Sequence, residues 1–120
     1  MAMAKILVVE NDLSNAEVLE DILQEEKHEV ITIRKTNSIS KTIESFRPEL
    51  IIMDILLDNE DGRFLCNRLK QNMNTKHIPI LMITAMLESY ARSIECSADY
   101  LMLKPFDYSI LIAQINAMIH

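Results

Sequence analysis

Leu50-Ile51-Ile52-Met53-Asp54 sets four apolar residues directly before one acid. A short run this apolar reads as a strand covered on both faces, as in a parallel sheet between two helical layers. An acid at its C-terminal end then lies in the crevice where open α/β sheets bind ligands. Three other runs repeat the arrangement. Lys5-Ile6-Leu7-Val8-Val9 leads into Glu10-Asn11-Asp12, Ile78-Pro79-Ile80-Leu81-Met82-Ile83 into Thr84-Ala85, and Tyr100-Leu101-Met102-Leu103 into Lys104-Pro105. Acids, a hydroxyl and a lysine at four strand ends compose a site suited to a phosphate.

Outward from these runs, strand and helix alternate five times. Strands are expected near 5–9, 29–34, 50–54, 79–83 and 100–103. Apolar residues at helical spacing fill the gaps. Ala16, Leu19, Ile22 and Leu23 mark a helix near 14–26, and Ile39, Ile43 and Phe46 a short second one. Phe64, Leu65 and Leu69 mark a third, and 86–96 is a weakly patterned fourth. Ile110, Leu111, Ile115 and Met118 mark a fifth, with Asp107 as its N-cap. This alternation implies βαβ units and a doubly wound α/β fold with a five-stranded parallel sheet. Val30-Ile31-Thr32-Ile33-Arg34 is the more polar run and reads as an edge strand. The strand order 2-1-3-4-5 satisfies these features and puts Glu10, Asn11 and Asp12 beside Asp54 at the switch point.

The chain of 120 residues reads as one domain, 1–120, with 49% hydrophobic and 25% charged residues. A net charge of −6 argues against non-specific binding to nucleic acid or anionic membranes. No apolar run approaches a membrane span, the N-terminus lacks a signal-peptide pattern, and a cytoplasmic location is expected. Cys66 and Cys96 are too few and too far apart for a disulfide framework or a zinc site, and read as two reduced structural thiols. His28, His77 and His120 have no ligand spacing and read as surface histidines.

Acids crowded at strand ends repel one another. At an effective dielectric of about 20, two carboxylates about 5 Å apart cost roughly 3 kcal/mol. A divalent cation relieves that cost, and hard oxygen donors with few protein contacts suit Mg²⁺. Asp54 is then both a ligand and a nucleophile able to form an acyl phosphate. Lys104 supplies a point positive charge, and Thr84 a hydroxyl for a phosphoryl oxygen.

Taken together, these motifs resemble the receiver domain of two-component response regulators, of the chemotaxis-receiver type, over essentially the whole chain. The matching segments are Lys5 to Glu10, Met53-Asp54-Ile55 with Asp61-Gly62 downstream, Ile83-Thr84-Ala85 and Lys104-Pro105-Phe106. The resemblance implies a flavodoxin-like (βα)5 fold. It also implies that Asp54 is the phosphoacceptor, Thr84 the switch hydroxyl and Lys104 the phosphate-binding lysine. Glu10, Asn11, Asp54 and the Leu56 backbone carbonyl would hold Mg²⁺. A sensor histidine kinase or histidine phosphotransfer protein would donate the phosphoryl group. A downstream effector, or a homodimer, would use the face of the fourth helix, fifth strand and fifth helix. Such a domain is a signalling switch rather than an enzyme, with only Mg²⁺-dependent self-phosphorylation and slow self-dephosphorylation. Apolar Met86 and Leu56 would flank the approach of a hydrolytic water.

Several positions depart from the family pattern. Asn11 stands where a second acid is usual; Asp12 would substitute only through a small loop shift, because the next residue faces away in an extended chain. Asp58 replaces a usual proline, and with Glu60 and Asp61 makes an acidic loop that reads as a solvated face, an altered kinase-docking edge or a charge that repels anionic small phosphodonors. Leu101 occupies the aromatic switch position, and neighbouring Tyr100 faces the opposite side of its strand. The segment from Thr84 to Lys104 is about two residues short, and Ser97 stands where glycine is common. Tyr108, Ile112 and Ile119 lie beyond the core stripe of the last helix, either covered by neighbouring elements or exposed to a partner. An alternative reading is therefore a degenerate receiver acting as a phosphate-independent interaction module. A cofactor-binding or hydrolytic flavodoxin-like domain would need a Gly-rich phosphate loop or a nucleophile elbow, and the chain has neither.

Overall fold

Every strand ends on the same edge of a single parallel sheet. The computed structural model describes residues 3–58, 60–105 and 107–119. The elements run β1 (Lys5–Val9), α1 (Leu13–Glu25), β2 (Glu29–Ile33), α2 (Ile39–Phe46), β3 (Leu50–Asp54), α3 (Gly62–Gln71), β4 (Ile80–Thr84), α4 (Glu88–Ala91), β5 (Tyr100–Leu103) and α5 (Tyr108–Met118). The strand order is β2-β1-β3-β4-β5, with every neighbouring pair parallel, as the sequence implies. The more polar β2 is indeed an edge strand.

Alternate strand residues feed two separate cores, because successive side chains point to opposite faces. Leu7, Val9, Ile51, Met53, Ile80 and Met82 pack with Ile39 and Ile43 of α2 and Leu65, Cys66 and Leu69 of α3. Ile6, Val8, Leu50, Ile52, Leu81 and Ile83 pack with Leu19 and Leu23 of α1 and Leu111 and Ile115 of α5. β3 and β4 are buried at every position, so the unbroken apolar runs follow from burial on both faces. Phe64 and Ile110 sit on the expected helices, but are 51% and 59% exposed, on the outer sides of α3 and α5. Tyr108 is exposed as well, whereas Ile119 packs against the second core.

Two expectations need correction. His28 is not a surface residue: it is 6% exposed, and its Nδ1 accepts the Ala4 N–H at 3.2 Å. His77 is exposed as expected, and His120 and Phe106 lie outside the described residues. The fourth helix, expected over 86–96, is one turn. Its carbonyls explain why. The Arg63 guanidinium donates Nη1–H to Tyr90 O at 2.7 Å and Ala91 O at 3.3 Å, taking acceptors that a longer helix needs. Beyond it, the Asn67 side chain donates to Glu95 O and accepts from Ser97 N, each at 2.8 Å, which holds the chain extended. Arg63 is itself buried, with Asp61 as its ion-pair partner at 2.6 Å.

The only glycine in the chain, Gly62, opens α3 against the end of β3. A Cβ there would lie 2.2 Å from the Asp54 carbonyl oxygen and 3.0 Å from Ile55 Cα, both backbone atoms. Gly62→Ala should therefore lower stability by about 2–3 kcal/mol. Helix propensity alone would raise it by about 1 kcal/mol. A urea midpoint equal to or above wild type would refute the close-approach argument.

Cys66 and Cys96, distant in sequence, share the first core. A hydrogen bond from the Cys66 thiol lowers the Cys96 pKa to about 6, helped by the Ala98 N–H and the Arg63 charge. The same bond and burial push Cys66 up. Since the thiolate is the nucleophile, iodoacetamide should label Cys96 with a rate that rises through pH 6. Cys66 should stay unlabelled in the folded protein. A Cys96 midpoint near 8.5, the ordinary thiol value, would contradict this.

Candidate functional site

Parallel register brings the ends of β1, β3, β4 and β5 together, and three of the expected residues meet there. The Lys104 ammonium lies 3.1 Å from Asp54 Oδ2 and 3.3 Å from Glu10 Oε1. Asp54 Oδ1 accepts the Leu56 N–H at 3.0 Å, and Glu10 Oε2 accepts the Asp12 N–H at 3.2 Å. Glu10 and Asp54 are buried, whereas Lys104 is half-buried. Lys104 is placed by its own backbone: its N–H donates to Thr84 O at 2.7 Å, so β5 ends in register with β4. The Lys104–Pro105 peptide bond is cis.

The charge balance is uneven. Two carboxylates face one ammonium. Burial raises the Glu10 pKa, and the Asp54 charge raises it further, outweighing the Asp12 N–H and Lys104. Burial works against the Lys104 ammonium, but Asp54 and Glu10 together outweigh it, so its pKa is raised. The pocket thus carries surplus negative charge on hard oxygens, the donor chemistry of a small divalent cation. Among the described residues, however, no three His, Cys, Asp or Glu side chains form a ready-made metal cluster. The remaining ligands must be carbonyls, water or phosphate oxygens.

Other expected residues are present but turned elsewhere. Thr84 closes β4 fully buried, and its Oγ1 accepts the Met86 N–H at 3.1 Å rather than meeting Asp54. Asn11 Nδ2 donates to Asp58 Oδ1 at 2.8 Å. Asp12 is the N-cap of α1, its side chain accepting the Asn15 N–H at 2.9 Å, so it does not replace a missing acid. Leu101 packs on the first core and Tyr100 is exposed, with the β4–β5 register unbroken. Tyr100 therefore does not take over the aromatic position.

The acidic loop is not a bare solvated face. Glu60 pairs with Arg68 at 2.8 Å, and Asp61 caps α3 while pairing with Arg63. Hydrogen bonds from these arginines hold both acids below the usual carboxylate range. Sequence reasoning missed Arg63 and Asn67, which fix the segment after β4. An Asp61-Gly62-Arg63 triplet after an acidic loop was the available signal for Arg63, since a capping acid two residues before an arginine can pair with it. Nothing in sequence spacing pointed to Asn67.

The parallel sheet of order 2-1-3-4-5, with a lysine shared by two acids at its C-terminal edge, places the chain among the flavodoxin-like α/β domains. The chain belongs to the response regulator receiver domain family, whose profile matches residues 6–116. The response regulator GraR of Staphylococcus epidermidis is 31% identical over 116 residues, covering 95% of this chain and 50% of that protein. The phosphate regulon transcriptional regulatory protein PhoB of Rhizobium meliloti is 34% identical over 119 residues, covering 98% of this chain and 52% of that protein. The chain thus spans about half the length of these curated relatives. Among solved structures, the receiver domain of a signal transduction histidine kinase from Syntrophus aciditrophicus superposes with a TM-score of 0.87 at 31% identity, covering 96% of this chain and 89% of that one. The response regulator TrrA of Thermotoga maritima, in complex with Mg²⁺-BeF, gives 0.86 at 25% identity, covering 98% of this chain and 100% of that one.

Burial of Glu10 has a consequence for stability. Its raised native pKa means the folded state holds a proton more tightly than the unfolded state. Stability therefore falls as pH rises from the ordinary glutamate value of about 4.3 through the raised native value. Glu10→Gln removes that loss. With a chelator present at pH 7, it should stabilise the protein, with the advantage fading towards pH 4. Thermal melts across pH check this. A less stable variant at pH 7 would mean that the Lys104 pair outweighs the cost of burial.

Proposed function

We propose that Asp54 is the phosphoacceptor of a phosphate-controlled signalling switch, and that residues 1–120 constitute one receiver domain. The observation that carries this reading is the Lys104 ammonium shared between Asp54 and Glu10, at 3.1 and 3.3 Å. The donor would be a phosphohistidine of a sensor kinase or phosphotransfer protein. An Asp54 carboxylate oxygen attacks phosphorus, a P–O bond forms, the P–N bond breaks, and the electron pair stays with the imidazole, which takes up a proton. Glu10, Asn11, Asp54 and the Leu56 carbonyl would hold Mg²⁺. When bound, Mg²⁺ supplies charge neutralisation for the phosphoryl oxygens. Lys104 orients the carboxylate beforehand and can then pair with the transferred group.

Phosphorylation adds nearly two negative charges beside Lys104 and Thr84. The Thr84 hydroxyl, now accepting from Met86, still has a proton to donate to a phosphoryl oxygen. Its movement would shift the segment that starts at Met86 and carries α4. Leu87 and Tyr90 of that segment are exposed, as are Tyr100 of β5 and Tyr108 and Ile110 of α5, and these side chains are available to an effector or to a second copy of the chain. The half-buried Met86 and exposed Leu56 offer no polar group to a hydrolytic water, which fits slow self-dephosphorylation.

One observation favours the alternative of a phosphate-independent interaction module: positions 11 and 101, an uncharged amide and a leucine, both depart from the family pattern. Intact mass decides between them. With Mg²⁺ and a small phosphodonor, or a phosphohistidine donor if that fails, wild type should gain one phosphoryl group of about 80 Da, and Asp54→Ala none. Absence of the gain with both donors would leave the interaction module as the function.

A further inference from the structure

Two departures from the family pattern meet in space. Asn11 lacks the charge usual at its position, and Asp58 carries a charge where proline is usual. Asn11 Nδ2 donates to Asp58 Oδ1 at 2.8 Å across 47 residues of chain. A carboxylate only accepts, so the amide nitrogen must face it. Asn11 Oδ1 is left without a hydrogen bond among the described residues. The neighbouring acids Glu60 and Asp61 are each neutralised by an arginine. Asp58 has no ion-pair partner among the described residues, so its charge is uncompensated.

We propose that Asp58 is a positioning residue for the cation site: it fixes the Asn11 amide with its carbonyl oxygen free for the cation, and returns to the rim the negative charge that Asn11 lacks. The proposal rests on the reading of Glu10, Asn11 and Asp54 as Mg²⁺ ligands. Asp58 is exposed, and Glu10, Asp54 and Asp58 form no metal cluster among the described residues, so it acts through Asn11 and not as a direct ligand. Metal sites commonly use such outer partners to orient ligands, and losing one typically weakens metal binding about tenfold or more.

Mg²⁺ titration by calorimetry, with the whole chain and no phosphodonor, tests this independently of phosphorylation. Asp58→Ala, which removes both the acceptor and the charge, should weaken Mg²⁺ binding about tenfold with an unchanged melting temperature. Asn11→Asp should tighten it. In the Asn11→Asp background, Asp58→Ala should cost clearly less, because the amide that Asp58 orients is gone and only its rim charge is lost. Unchanged affinity in Asp58→Ala, or an equal loss in both backgrounds, would overturn the proposal while leaving the cation site intact. No saturable Mg²⁺ binding by wild type would overturn the proposal and the metal reading together.

Discussion

A single ammonium, shared by two buried carboxylates, is the interaction on which the site depends. Lys104 is 94 residues from Glu10 and 50 from Asp54, so only the completed sheet can bring them together. Buried charge is tolerated only when paired and hydrogen-bonded. Each acid accordingly also accepts a backbone N–H, from Leu56 or Asp12, that comes from the turn directly following its own strand. The arrangement still has two negative groups for one positive, and the raised Glu10 pKa records the excess. The pocket is therefore incomplete as charge, and suited to receive a cation and then a phosphoryl group.

The frame keeps this imbalance in place through α3. Its first residue, Gly62, lies against the Asp54 carbonyl, and its N–H donates to Ile55 O at 2.8 Å. Its second, Arg63, is bonded to the C-terminal end of α4. One turn of one helix thus touches the backbone of the acid at one end and the segment following Thr84 at the other. The short α4 is held by these polar contacts and by one buried apolar residue, Ala91. Segments with few buried apolar contacts lie at the low end of local stability. A small rearrangement at Thr84 meets less resistance there than anywhere in the two cores.

The strands were legible because burial on both faces leaves an unmistakable apolar run, and strand order followed from the polarity of β2. Glu10, Asp54 and Lys104 were legible because each directly follows or ends such a run. What stayed hidden depends on side chains that act across the fold. His28 looks like any histidine until β2 brings its Nδ1 to the Ala4 N–H. The brevity of α4 depends on Arg63 and Asn67 reaching over from α3. Phe64 and Ile110 keep the helical period but lie on the outer faces, since apolarity does not by itself oblige a side chain to be inside. The thiol pair was hidden for the same reason: 30 residues of sequence separate two groups that share one core.

The exchange of charge between positions 11 and 58 follows the same physics. A third carboxylate at position 11 would stand next to Glu10, which is already pushed towards its neutral form by burial and by Asp54. Metal-free protein would bear that repulsion in full, because the low local dielectric strengthens it. Asparagine keeps an oxygen donor at the rim without the charge. Asp58, exposed to water, carries the charge at little solvation cost and hands its influence inward through one hydrogen bond. Such a layout favours stability of the empty pocket over the tightest grip on a cation. A rim charge in solvent is also weakened by salt far more than a buried one. Cation binding at the proposed site should accordingly be more sensitive to ionic strength than in a pocket whose acids are all enclosed.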